Sequence, residues 1–187
     1  MIPMALQSLF DPKRRKELQD AVRAGVPFSG RKILDEPLSS DPASTPSAAN
    51  GRTLTPQEQQ KLNKQLLRAA YFGQLDNVKK AIDGGADVNG ADDDGKTALI
   101  WTSMYGMMSV SEFLNSKGAD VNARCNNGRS ALLEAAFKHQ TSTVKFLVSK
   151  GANVNVKDNL GWTPLEWASQ CRDEEIVDCL ETHGAKK

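Results

Sequence analysis

The chain of 187 residues is short of most things that announce a chemistry. No apolar run approaches the ~20 residues needed to cross a bilayer. Lysine and arginine (24) nearly balance aspartate and glutamate (23), so the net charge of +1 gives no argument for bulk nucleic-acid binding. There are three cysteines, Cys125, Cys171 and Cys179, an odd number that suggests no disulfide framework. A reducing compartment is therefore expected, the cytoplasm first and the nucleus second. Only two histidines are present, His139 and His183, and no Cys/His group has zinc-like spacing. No secretory leader is expected, because charge begins at Asp11 and no long apolar core follows. Asp11, Glu17 and Asp20 argue against an organelle transit peptide. No nucleophile–base arrangement is readable, so neither an enzyme nor a cofactor is expected.

What the chain does have is a beat. Gly85-Ala86-Asp87-Val88-Asn89 returns as Gly118-Ala119-Asp120-Val121-Asn122 and as Gly151-Ala152-Asn153-Val154-Asn155, with a stub at Gly184-Ala185. Each step is 33 residues. A second mark keeps the same phase: Gly95-Lys96-Thr97, Gly128-Arg129-Ser130 and Gly161-Trp162-Thr163. A fixed period of this size is the signature of stacked supersecondary units.

The third unit shows what is repeated. Asn126-Asn127-Gly128 is a tight-turn sequence whose glycine accepts positive φ. Ser130 can cap a helix over the residues that follow, up to Phe137. After a polar break at residues 138–141, Val144, Phe146, Leu147 and Val148 support a second helix, which Gly151 ends as a left-handed residue. In the fourth unit Thr163-Pro164 pairs a cap with proline at the first helical position. Helices this short are marginal alone and gain stability by stacking into a quasi-one-dimensional solenoid.

These residues resemble the ankyrin repeats. Thr163-Pro164-Leu165-Glu166-Trp167-Ala168 is similar to that family's T-P-L-H-x-A, and Thr97-Ala98-Leu99-Ile100 and Ser130-Ala131-Leu132-Leu133 are weaker copies. The resemblance implies an all-α ankyrin-repeat solenoid of helix-turn-helix units joined by β-turn or hairpin loops. Its repeats would cover about residues 56–89, 90–122, 123–155 and 156–187, in a domain over 55–187. The family's histidine is absent: Leu67, Ile100, Leu133 and Glu166 stand there. The glycine after the first helix survives as Gly73 and Gly106 but becomes His139 and Arg172. Positive φ at those two would cost on the order of 1 kcal/mol each.

The ends should be atypical. Thr55-Pro56-Gln57-Glu58 reads as a capping box opening a long helix to about Phe72, with Leu62, Leu66, Leu67, Ala69 and Ala70 as its apolar set. Gln57, Gln59, Gln60 and Lys61 look solvated. Residues 1–54 form an N-terminal arm, helical or extended. It has a short helix near 12–24 and a Ser/Ala/Pro-rich linker over residues 39–50. The arm could anchor a structural subunit in a larger complex, an alternative to the reading developed below.

One motif is a decoy. Gly90-Ala91-Asp92-Asp93-Asp94-Gly95-Lys96-Thr97 fits the phosphate-binding pattern G-x-x-x-x-G-K-[ST] over residues 90–97. Three aspartates would oppose a triphosphate, no strand precedes the loop, and the repeat already accounts for Gly95 and Thr97. A nucleotide-binding enzyme stays the remote alternative.

In a solenoid, the positions that vary between units carry recognition. Alignment by 33 gives the turn tips: Asp93, Asp94, Lys96; Asn126, Asn127, Arg129; Asn159, Leu160, Trp162. In the family resembled, tips and first helices line a concave groove. The candidate partner-binding set is Trp101, Met104, Tyr105, Arg129, Glu134, Phe137, Leu160, Trp162 and Trp167, rich in the aromatics and arginine that interface centres favour. The expected function is a non-catalytic protein–protein interaction module, adaptor or regulator, with a protein partner and with neither nucleic acid nor membrane.

Overall fold

The computed structural model describes residues 54–186; the arm assigned to 1–54 lies outside the described residues, apart from Leu54. Eight helices follow in four pairs. They are α1 Pro56–Tyr71 and α2 Leu75–Asp83, α3 Ala98–Met104 and α4 Met108–Ser116, α5 Ala131–Phe137 and α6 Thr141–Ser149, and α7 Pro164–Cys171 and α8 Glu174–Thr182. No extended strand occurs among the described residues, only isolated bridges between Ala91 and Thr97 and between Arg124 and Ser130, which close the turn hairpins. The fold is an all-α repeat stack.

The odd-numbered helices begin where the hydroxyls stand. Thr97, Ser130 and Thr163 each accept from the backbone N–H three residues on. Thr55 and Glu58 form the reciprocal capping box that the sequence announces. Glu166, entered as a lost histidine, forms a second such box with Thr163: its carboxylate accepts from the Thr163 N–H at 2.7 Å and hydroxyl at 2.9 Å. Between the helices of each pair the chain turns through positive φ. Gly73 and Gly106 make that turn in the first two units, and His139 (φ 58°) and Arg172 (φ 57°) keep the same conformation in the last two.

Burial follows the period. Leu66, Leu99, Leu132 and Leu165 occupy one register position and are all buried; Ala81, Leu114, Leu147 and Leu180 do the same on the second helices. Each first helix packs on its own second helix and on the first helix of the neighbouring unit. Hydroxyls enter this core in the second unit, at Thr102, Ser103 and Ser111, and in the third, at Thr143. Thr102 and Ser111 stand where alanine and valine stand elsewhere, and the Ser111 hydroxyl donates to Thr102 at 2.9 Å. The Ser103 hydroxyl is buried without a partner among the described residues, and nothing in the structure explains it.

The recurring segment, Gly-Ala-Asp-Val-Asn twice and Gly-Ala-Asn-Val-Asn once, is a set of ties. Asn89 accepts from the Asp120 N–H at 2.8 Å, Asn122 from the Asn153 N–H at 2.8 Å, and Asn155 from the Lys186 N–H at 2.8 Å. The side-chain amides of the three donate to the carbonyls of Gly118, Gly151 and Gly184. In the first unit the register position of these asparagines is Pro56, which cannot make such a tie. Two residues of α1 stand in: Asn63 accepts from the Asp87 N–H at 2.8 Å, and Gln59 donates to the Gly85 carbonyl at 2.8 Å. Gln59 was read above as solvated; one turn before Asn63, it reaches the loop instead.

Candidate functional site

The turn of the second unit is organised around one carboxylate. Asp92 Oδ1 accepts from the backbone N–H of Lys96 at 2.8 Å and of Asp94 at 3.0 Å, while Oδ2 accepts from the Trp101 indole at 2.8 Å. Trp101 is thereby pinned flat under the turn and is 1% exposed. The Lys96 ammonium lies 4.3 Å from the Trp101 ring centroid, a geometry in which the ring quadrupole attracts the cation. The phosphate-loop look-alike thus has two of its amides committed to an aspartate and its lysine folded onto an indole.

The fourth unit repeats the device. Asp158 Oδ1 accepts from the N–H of Trp162 at 2.9 Å and of Leu160 at 3.0 Å, and Oδ2 from the Trp167 indole at 3.3 Å. The third unit departs, with Cys125 and Glu134 at the aspartate and tryptophan positions. Arg129 resolves the difference. Its guanidinium lies 3.7 Å from Glu134 and 3.5 Å from Asp158, and 4.9 and 5.1 Å from the ring centroids of Phe137 and Trp167. Glu134, 4% exposed, is a buried carboxylate that needs this cation.

Two aromatic groups result. In the first, Tyr71 packs edge-on against Phe72, Trp101 and Tyr105, at centroid separations of 5.0, 5.2 and 5.4 Å. In the second, Trp167 meets Phe137 at 4.9 Å and Trp162 at 4.7 Å. Burial, together with a hydrogen bond to Tyr71, pushes the Tyr105 phenol well above the ordinary tyrosine range. Lys138, whose ammonium lies 5.2 Å from the Phe137 centroid, is lowered: burial penalises its charge, Glu134 partly offsets this, and Arg129 and Lys96 add to it.

The structure divides the nine sequence-derived residues. Trp101, Met104 and Glu134 are buried, which corrects their reading as surface groups. The reasons are the Asp92 hydrogen bond for Trp101, helix packing for Met104 and the Arg129 ion pair for Glu134. Tyr105, Arg129, Phe137, Trp162 and Trp167 are half-buried, and Leu160 is 57% exposed. Asn126 and Asn159, read as variable turn tips, are tied to the tip before them. Two surface groups escaped the sequence reading. Phe72, 46% exposed, and Lys138 share one register position with Tyr105, so alignment by 33 could have found both.

A four-pair helical stack with asparagine ties and hairpin turns defines a class of repeat protein. Residues 66–158 match the family model for ankyrin repeats in three copies, and the chain is an ankyrin-repeat protein. Among curated proteins none matches the chain significantly. The structure continues the pattern beyond the matched segment: α7 and α8 keep Leu165 and Leu180 in the core. Ankyrin repeats generally mediate protein–protein interaction and are typically non-catalytic. Among the described residues no helix is long and apolar enough to cross a membrane, and no group of His, Cys, Asp and Glu is placed to hold a metal ion.

Proposed function

We propose that this chain is a non-catalytic adaptor or regulator whose repeat domain, about 55–187, holds a protein partner along the face carrying the tips and first helices. The observation that carries this reading is a set of part-exposed rings at the tips and first helices, in two groups that packing already holds. Phe72, Tyr105 and Lys138 mark one row; Phe137, Trp162 and Trp167 extend it toward the fourth unit. Trp167 is fixed by Asp158 and Arg129, and Tyr105 by Tyr71. Rings that are ordered before binding lose little rotamer freedom on contact, so more of their buried area appears as affinity. Aromatic anchors beside an arginine are the composition of interface centres, and a lysine such as Lys138 suits the polar rim. The cysteines are free, with Cys125 buried, which suits a reducing compartment.

The test is capture by the full chain carrying Phe72→Ala and Lys138→Glu together, compared with wild type. Partners held through this face are lost from the variant while its melting temperature stays within a few degrees. Retention of every captured protein refutes the assignment of the face. Loss accompanied by unfolding shows that these side chains belong to the fold.

A further inference from the structure

Each tip after the second unit grips the tip before it through one asparagine. Asn126 donates its backbone N–H to the Asp94 carbonyl at 2.9 Å and its side-chain amide to the Asp93 carbonyl at 2.9 Å. One repeat later Asn159 does the same, to the carbonyls of Asn127 at 3.0 Å and Asn126 at 2.8 Å. In identical register on the fourth unit stand the carbonyls of Leu160 and Asn159, and no described residue donates to either. The glycines show the same continuation. A side chain at Gly95 or Gly128 would run into Asn126 or Asn159 of the next tip, whereas Gly161 faces open space.

The surroundings of this edge are divided. Leu160 stands exposed beside a shallow depression lined by Trp162, Leu165, Glu166 and Gln170. Glu166 occupies the position at which Ile100 and Leu133 are buried, and Gln170 that of Met104 and Phe137. The helical half of this face is therefore a poor surface for another apolar helix pair. The hairpin half keeps both acceptors and an apolar tip.

We infer that the tip of the fourth unit is a docking edge for an asparagine-bearing turn of a partner protein, which continues the interface between units across two chains. The incoming asparagine donates its backbone N–H to the Leu160 carbonyl and its carboxamide to the Asn159 carbonyl, and an aliphatic neighbour covers Leu160 and Trp162. The template is the junction of the third and fourth units, where this pair of bonds is already made. A second copy of this chain is a poor occupant through its own tips. Its Asn126 and Asn159 are engaged within their own stack, and Asp93 offers an acceptor where a donor is required.

The probe is a backbone-cyclised peptide copying residues 153–163, titrated into the isotope-labelled full chain, beside a second peptide with Asn159→Ala. The asparagine peptide shifts the amide signals of Leu160, Gly161 and Trp162, and the alanine peptide binds about fivefold more weakly, the loss of one net hydrogen bond. Leu160→Ser in the protein weakens the asparagine peptide without changing the melting temperature. The inference is overturned by equal affinity of the two peptides, by no shift at Leu160 and Gly161 with millimolar probe, or by shifts confined to Tyr105 and Lys138. The last result would leave the proposed binding face standing while removing the edge.

Discussion

Trp101→Ala and Trp162→Ala should behave as opposites, although both remove an indole from neighbouring positions of the same repeated pattern. Trp101 is sealed beneath its turn, so its removal forfeits a whole buried aromatic side chain, about 3–5 kcal/mol. The deletion also leaves Asp92 Oδ2 without the donor it has at 2.8 Å. That is a further loss of about 1–3 kcal/mol if water cannot reach the oxygen. Against a total stability of roughly 5–15 kcal/mol for a domain, this variant is severely weakened. Trp162 is half-buried and its ring leans on Trp167 at 4.7 Å. Losing that contact costs about 0.5–1.5 kcal/mol. Urea unfolding followed by far-UV circular dichroism separates the two. The midpoint of the Trp101 variant falls far below that of the Trp162 variant, at similar slope. A lower slope in either variant would mean that the stack has begun to unfold in pieces. Equal midpoints would refute the reasoning, because Trp162 would then be a core residue. A Trp101 variant within 1 kcal/mol of wild type would refute the role given to Asp92.

Three further outcomes follow from the geometry. Arg172→Gly relieves a left-handed residue and raises stability by about 1 kcal/mol; His139→Gly gains less, because it gives up the contact of His139 with Asp173 at 3.2 Å, and thermal melts of the two show the order. Asn122→Ala removes an acceptor from the Asn153 N–H and a donor from the Gly151 carbonyl, at a cost of about 1–2 kcal/mol; hydrogen exchange accelerates at Asn153 in particular. Lys138→Met is more stable than wild type at neutral pH. The folded amine is held below its ordinary value, so the penalty for its charge is full at neutral pH and fades as pH climbs through the folded pKa toward the ordinary lysine range. Denaturation midpoints measured across that alkaline window converge for the two proteins.

Much of this architecture was legible because the period makes every residue testify four times. The capping hydroxyls at Thr55, Ser130 and Thr163 are local signals, and local signals survive folding. The register position of His139 and Arg172, glycine in the first two units, raises the question of positive φ, and both residues adopt it. The candidate site was harder, since exposure depends on partners that are not neighbours in sequence. Trp101 is hidden by Asp92 nine residues earlier, and a tryptophan on a first helix carries no sign of that bond. The recurrence of the pair as Asp158 and Trp167 was the available clue. Glu134 is buried only because Arg129 crosses from its turn to meet it, and a lone glutamate in a helix reads as surface. Glu166 stands where the family has histidine, and it has a role of its own as the partner of Thr163. The sequence Thr163-Pro164-Leu165-Glu166 has the same capping pattern as Thr55-Pro56-Gln57-Glu58, and the same residues also fit the family motif.

The ties that Gln59 and Asn63 make from α1 bear on the order in which the chain can assemble. A ribosome delivers α1 before any loop it must receive, and those two side chains lie ready on its surface when Gly85 and Asp87 emerge. Asn89 then awaits the next loop, and Asn122 the one after. The opening helix is thus a seed, and the stack is able to grow from it one unit at a time in the direction of synthesis.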